Sequence, residues 1–483
     1  MKDLDLLIGG TDTLAEGGRR YERLNPVSGT PATRAAAASV ADARAAVAAA
    51  QGALAAWSAT GPEARRAVLL RAGDIMEARA ADFVAAMTEE TGATKVWAGF
   101  NVHLAAGMLR EAGAMTSQIG GEVIPSNKPG TLAMAVARPR GVCLGIAPWN
   151  APVILGTRAV AMALACGNTV VLKASEMCPR THRLIGECLV EAGLPAGAIN
   201  VISNAPEDAA EVVRTLIEAP EVRHVNFTGS TGVGRIIGRL AGENLKPALL
   251  ELGGKAPFLV LEDADIDGAV NAAIFGSFMN QGQICMSTER IIVVEAVADA
   301  FVERLAARAA ALPWGDPAQG DVVLGALVSP EAGAKMAALI ADATAKGARL
   351  VAGGSGTGAL HSATLLDGVT PQMRIYAEES FGPVKSVIRV ADTEAAIRVA
   401  NDTEYGLSSA VFSQDITRAL AVANRLESGI CHVNGPTVSD EPQMPFGGVK
   451  ASGYGRFGGK AGIAEFTQLR WITLEDPKQA YPF

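Results

Sequence analysis

The sequence predicts an α/β protein with two successive, mostly parallel sheets covered by helices. Two observations carry this expectation. From residue 141, short apolar runs bounded by Gly, Pro and Asn alternate with helical patterns, the texture of a parallel sheet with crossover helices. A second block of the same texture starts at residue 257. A third feature stands apart. Residues 466–474 (FTQLRWITL) alternate and are aromatic, and a strand so far from its own core suits pairing with a second chain.

The elements follow in order. Residues 39–52 start with Ser and Asp and run into alanines, a strong helix start followed by the best helix former. Residues 63–91 continue as helix, with Leu69, Leu70, Ile75, Met76, Phe83 and Met87 near a 3.6-residue period. Strands are expected at 141–147, 169–173, 199–203 and 222–227, with helices at 151–165 and 181–191. In the second block the strands are 257–261 and 290–294, around an uncharged helical stretch, followed by helices at 297–311 and 330–346. No repeat of 20–50 residues is visible.

Composition excludes several classes. The chain has 483 residues, 49% hydrophobic and 19% charged, with a formal net charge of −8. That is ample material for two or three packed units and excludes disorder over the whole chain. The acidic balance argues against nucleic acid and anionic lipid as partners. The longest uncharged stretch, 268–288, is long enough for a membrane span but carries Asn271, Ser277, Asn280, Gln281 and Gln283. The start, MKDLD, lacks the apolar core of a signal peptide. A soluble, cytoplasmic protein is expected. The six cysteines and five histidines show no CxxC, HExxH or His-x-His spacing, so neither a disulfide framework nor a metal is expected.

Four stretches could carry chemistry. In 280–285 (NQGQIC) a cysteine follows amides and a glycine. The glycine would let a ligand approach the backbone, and the amides suggest a polar cleft, which makes Cys285 a candidate nucleophile instead of an inert packed thiol. In 250–255 (LELGGK), Glu251 sits between leucines. If buried, its pKa rises towards that of a general base; otherwise it is a surface residue beside a turn. Asn150, in PWN after the first strand, either caps the next helix or offers its amide to an oxyanion. In 227–234 (FTGSTGVG) a strand, a Gly-rich turn and a helix suit a phosphate, although GxxGxG is neither the dinucleotide fingerprint nor a Walker loop.

Taken in order, PWN at 148–150, KASE at 173–176, FTGSTGVG at 227–234, LELGGK at 250–255, GQIC at 282–285, EESFGP at 378–383 and PFGGVKASG at 445–453 resemble the aldehyde dehydrogenase superfamily over nearly the whole chain. The resemblance implies an aldehyde dehydrogenase-like α/β fold with two Rossmann-like domains and a small β oligomerisation extension. It implies an NAD-binding domain at 1–120 and 141–250, a catalytic domain at 251–465, and the extension at 121–140 and 466–483, in a homodimer or homotetramer. By the same resemblance Cys285 attacks the aldehyde, Asn150 and the Cys285 backbone N–H hold the oxyanion, and Glu251 activates the water that hydrolyses the thioester. Lys173 and Glu176 match adenosine-ribose contacts, Gly229 and Ser230 the pyrophosphate site, Trp149 the cofactor cleft, and Glu379 with Phe381 the nicotinamide end. A carboxylate at Glu176 favours NAD over NADP.

The helix after PWN resembles that of the salicylaldehyde, vanillin and benzaldehyde dehydrogenase branch, which implies an aromatic aldehyde. Trp97, Arg158 and Ile284 are the candidate substrate contacts. Arg158, a lone charge in an apolar helix, is costly to bury unless paired. It serves either a substrate substituent or a structural ion pair. The alternatives are an NAD(P)-dependent aliphatic or semialdehyde dehydrogenase, a CoA-acylating relative, which Glu251 argues against, and a silent relative, which the intact Cys285 and Glu251 argue against.

Overall fold

The computed structural model describes residues 2–483. Its larger sheet has eight strands, in the order Gly453–Tyr454, Ala248–Glu251, Val222–Thr228, Val142–Ile146, Thr169–Lys173, Ile199–Ile202, Leu6–Ile8 and Thr11–Thr13. The five central strands are parallel and the edges antiparallel. The chain runs from Val142–Ile146 outward to one side, then returns to lay Val222–Thr228 on the other side. That reversal opens a crevice at the carboxyl ends of these two strands, the place where open α/β sheets bind ligands. Trp149, Asn150, Gly229 and Ser230 all follow directly from these two strand ends.

The second sheet has seven strands, ordered Arg349–Ala352, Thr364–Asp367, Val384–Val390, Thr288–Val294, Ala256–Val260, Ser408–Phe412 and Ile430–Val433. All pairs are parallel except the edge strand Arg349–Ala352. Gly121–Ile124, Leu132–Pro139 and Thr467–Leu474 form a separate antiparallel sheet. On it Val123, Leu469 and Trp471 are 71%, 74% and 78% exposed.

Local signals account for several boundaries. The Ser39 hydroxyl accepts from the Ala41 and Asp42 amides while Asp42 accepts from the Ser39 amide, a capping box that starts Val40–Ala59. The run expected at 63–91 is two helices, Pro62–Ala78 and Ala80–Thr91, broken at Arg79. Helix Pro152–Ala165 is buried on every side, packed between the sheet and helix Lys95–Met115, which is why it is almost free of charge.

Three departures from expectation have physical causes. The strands before residue 37 are three to six residues long and partly polar, too short for a period-2 pattern to show. Five further strands, Arg349–Ala352, Thr364–Asp367, Val384–Val390, Ser408–Phe412 and Ile430–Val433, complete the second sheet, where the sequence suggested only two; they are four to seven residues long, too short for a clear pattern. Residues 453–466 lie with the first sheet instead of the second. Gly453–Tyr454 pairs with Ala248–Glu251, and Gly459–Phe466 packs on helices Lys95–Met115 and Pro152–Ala165. Gly453 permits this edge: its φ is +105°, and a Cβ would lie 1.9 Å from the Leu250 carbonyl oxygen. Among the described residues no helix is long and apolar enough to cross a membrane.

Candidate active site

Cys285 sits where the two sheets meet. The turn that carries it is left-handed at three consecutive residues, Asn280 (φ 48°), Gln281 (φ 56°) and Gly282 (φ 72°), a conformation that costs energy at the two non-glycine positions. Side-chain amides hold it in place. Asn280 Nδ2 donates to the Asn150 carbonyl at 2.9 Å, Gln281 Nε2 donates to the Ala326 carbonyl at 2.8 Å, and Gln283 Oε1 accepts from the Val328 amide at 3.0 Å. The amide-rich run is therefore buried scaffolding, and the polar cleft it suggested is not lined by it. Gly282 likewise makes room for protein, not ligand: a Cβ there would lie 2.3 Å from the Gly382 carbonyl oxygen.

Glu251 ends its strand fully buried, with Oε2 3.9 Å from Cys285 Sγ. Its Oε1 has no hydrogen-bond partner among the described residues. Burial pushes the Glu251 carboxyl up to about 8, against a smaller downward pull from Arg158. The Cys285 thiol is raised well above its ordinary value, by burial first and then by the Glu251 and Glu379 carboxylates. Two negative charges this close in a buried site are unfavourable, so thiol and carboxyl titrate as a coupled pair that keeps a proton near neutral pH.

Asn150 does not cap the following helix, whose N-cap is Ala151 with no side-chain bond. Its Nδ2 donates to the Gln283 carbonyl at 2.9 Å, and its own carbonyl accepts from Trp97 Nε1 at 3.0 Å. The amide is thereby pinned to the turn that carries Cys285.

Two cavities meet at Asn150, Leu155 and Cys285. One, of about 770 Å³, is lined by Trp149, Gly229, Ser230, Glu251, Gly253, Lys335, Glu379 and Phe381. Glu379 Oε1 accepts from the Gly254 amide at 2.8 Å, and burial raises its carboxyl to about 7. Ser230 caps helix Thr231–Glu243 through a bond from the Val233 amide, so the helix N-terminus faces this space. The Trp149 and Phe381 rings meet edge-on at 5.6 Å. A positive helix end, a carboxylate and two aromatic rings suit a dinucleotide. Lys173 and Glu176 do not line this cavity. They pair with each other at the end of the neighbouring strand, and Asn204 Nδ2 donates to Glu176 at 3.0 Å. Burial alone would raise Glu176, but Lys173 holds its carboxyl below the ordinary value.

The other cavity, of about 950 Å³, is mostly apolar, with Trp97, Phe100, Phe275, Ile284, Met286 and Phe446 among its walls. Arg158 lies here too, but it is not a free cation: Asp440 pairs with it, and its guanidinium lies 4.1 Å over the Phe446 ring. Asp440 escaped the sequence reading because an acidic residue in a loop 282 positions away gives no sign of burial.

These groups make a nucleophile, a proton acceptor, an amide donor and two abutting pockets, the parts of a covalent acyl-transfer redox site. Residues 13–472 match the aldehyde dehydrogenase family. The chain belongs to that family. It is 62% identical to a vanillin dehydrogenase of Pseudomonas fluorescens, over the full length of both chains. A solved salicylaldehyde dehydrogenase from Pseudomonas putida G7, in complex with salicylaldehyde, superposes with a TM-score of 0.98 at 49% identity and covers all of both chains. A solved PnpE in complex with nicotinamide adenine dinucleotide has a TM-score of 0.94 at 36% identity, with 99% of each chain covered. Membership makes the protein an NAD(P)-dependent aldehyde dehydrogenase.

The raised Glu251 pKa has a consequence for stability. Between the ordinary carboxyl value of 4.5 and about 8 the folded state holds a proton that the unfolded state has lost. Stability therefore falls as pH rises through that window, by at most about 1.4 kcal/mol per pH unit for one proton, and the loss stops above it. Glu251→Gln removes this contribution. Melting temperatures from pH 5 to 9 should show the variant gaining on the parent up to about pH 8. Parallel curves would contradict a neutral buried Glu251.

Proposed function

We propose that this aldehyde dehydrogenase takes aromatic aldehydes to carboxylic acids, with NAD as cofactor. The observation that carries the proposal is the apolar, aromatic-walled cavity ending on the Cys285 thiol, with one polar pair, Arg158–Asp440, on its wall. The vanillin and salicylaldehyde dehydrogenases named above support it.

In the proposed reaction Cys285 gives up its proton and attacks the aldehyde carbon. Glu251 Oε2, 3.9 Å away, is the acceptor at hand. Asn150 Nδ2 and the Cys285 backbone N–H hold the resulting oxyanion. When bound, the nicotinamide supplies the hydride acceptor, leaving a thioester on Cys285. After passing the thiol proton on to solvent, Glu251 takes a proton from the water that hydrolyses this thioester. A carboxyl with a pKa of about 8 can both accept and release that proton near neutral pH. Glu379 and Phe381 hold the nicotinamide end, and Trp149, Gly229, Ser230, Lys173 and Glu176 the rest of the cofactor. Residues 1–120 with 141–250 carry the cofactor and 251–465 the thiol. Residues 121–140 with 466–483 join copies of the chain into a homodimer or homotetramer, for which the exposed Val123, Leu469 and Trp471 offer apolar surface. Six unpaired cysteines go with a cytoplasmic setting.

Three measurements test the proposal. Cys285→Ala should lose at least about a thousandfold in kcat while still binding NAD, because only the covalent step is removed. More than about a hundredth of parental activity would defeat the role. In parallel, kcat/KM with NAD should exceed that with NADP, since an ionised Glu176 repels a 2′-phosphate. Glu176→Gln should narrow the gap, and a parent enzyme that prefers NADP would refute the assignment. Finally, benzaldehyde, salicylaldehyde and vanillin should outperform acetaldehyde and a semialdehyde by about a hundredfold in kcat/KM. Burying a ring removes on the order of 100 Å² of apolar surface from water, at about 25 cal/mol per Å². Arg158→Ala should cost the ring-hydroxylated substrates roughly tenfold more than benzaldehyde. An equal loss for all substrates, with lowered stability, would reduce Arg158 to a structural ion pair.

A further inference from the structure

Behind the site lies a buried charge cluster that the chemistry above leaves unused. Glu289, at the start of strand Thr288–Val294, is 2% exposed, and Lys255 and Lys385, on the neighbouring strand ends, are 1% and 0% exposed. Lys255 Nζ donates to Glu289 Oε2 at 2.7 Å and Lys385 Nζ to Oε1 at 2.9 Å. The Ser380 backbone amide donates to Oε2 at 3.0 Å and its hydroxyl to Oε1 at 2.5 Å. The carboxylate thus receives four donors.

The three residues that supply these donors lead to three walls of the site. Ser380 lies between Glu379 and Phe381. Lys255 follows Gly254, whose amide binds Glu379, and Lys255 Nζ also donates to the Glu378 carbonyl at 2.6 Å. Lys385 Nζ donates to Ser287 Oγ at 2.9 Å, two residues past Cys285. One carboxylate therefore ties the segment after Glu251, the segment after Cys285 and the segment carrying Glu379 and Phe381. Three buried charges are a poor way to gain stability, because an apolar set of similar volume serves as well or better. Their directed bonds do fix relative position, which apolar contacts do loosely.

We propose that Glu289 is a positioning residue that holds the Glu379–Phe381 segment at a set distance from the thiol and so aligns the cofactor's nicotinamide end for hydride transfer. The inference rests on the cofactor assignment made above.

The test separates the two halves of the site. In Glu289→Gln, a single turnover with NAD and benzaldehyde, read as absorbance of the reduced cofactor, should slow about 10- to 100-fold. KM for NAD should rise severalfold. Alkylation of Cys285 by iodoacetamide without NAD should stay within about twofold of the parent, because the thiol itself is not displaced. If alkylation and hydride transfer fall together, or neither changes, Glu289 does not position the cofactor. Glu289→Gln/Lys385→Met removes one charge of each sign and should recover the parental melting temperature while hydride transfer stays slow. Recovery of the hydride-transfer rate with stability would overturn the proposal. A parent that fails to bind NAD would instead overturn the cofactor assignment, and this inference with it.

Discussion

Everything at this site depends on backbone packed against backbone where the two sheets meet. A Cβ on Gly254 would lie 2.2 Å from the Cys285 carbonyl oxygen, and one on Gly282 would lie 2.3 Å from that of Gly382. At Gly253 a Cβ would come within 2.8 Å of the Glu379 carboxylate. No side chain fits at the first two contacts, where the neighbour is backbone, so three segments separated in sequence are drawn together at glycines. The left-handed turn at 280–282 is the strained partner of this arrangement, held by amides that bond to backbone carbonyls.

That closeness sets the electrostatics. Glu251 is buried and Glu379 and Asp440 are partly buried near one thiol, and desolvation raises each carboxyl. Arg158 offsets part of this for Glu251 and Cys285. The Glu289 carboxylate behaves in the opposite way. Burial alone would raise it, yet Lys255 and Lys385 hold it down to about 2. One buried group is thus left able to exchange a proton near neutral pH and another is locked as a permanent anion. The first suits chemistry and the second suits architecture.

The architecture also explains why a single cleft can take two ligands. The crevice arises where the first sheet reverses strand order, and helix Thr231–Glu243 turns its N-terminus towards it. Helices Lys95–Met115 and Pro152–Ala165 wall the apolar cavity on the other side. Asn150 sits at the junction, pinned through Gln283 and Trp97.

The sequence by itself determined the parallel-sheet class, most strand and helix positions from residue 141 to 346, and the motifs around Cys285, Glu251, Asn150 and Glu379. These are legible because apolar period, glycine turns and motif spacing are local properties of the chain. Only the tertiary structure decided what the charged and amide side chains do. Asn280, Gln281 and Gln283 read as cleft residues and are buried braces. Arg158 read as either a substrate contact or half of an ion pair, and the structure supplies Asp440 as its partner. Lys255, Glu289 and Lys385 look like any surface charges until three strands bring them within hydrogen-bond distance. A side chain's charge is written in the sequence, but its burial and its partner come from contacts between segments 34 to 282 residues apart, and local pattern carries no record of those contacts.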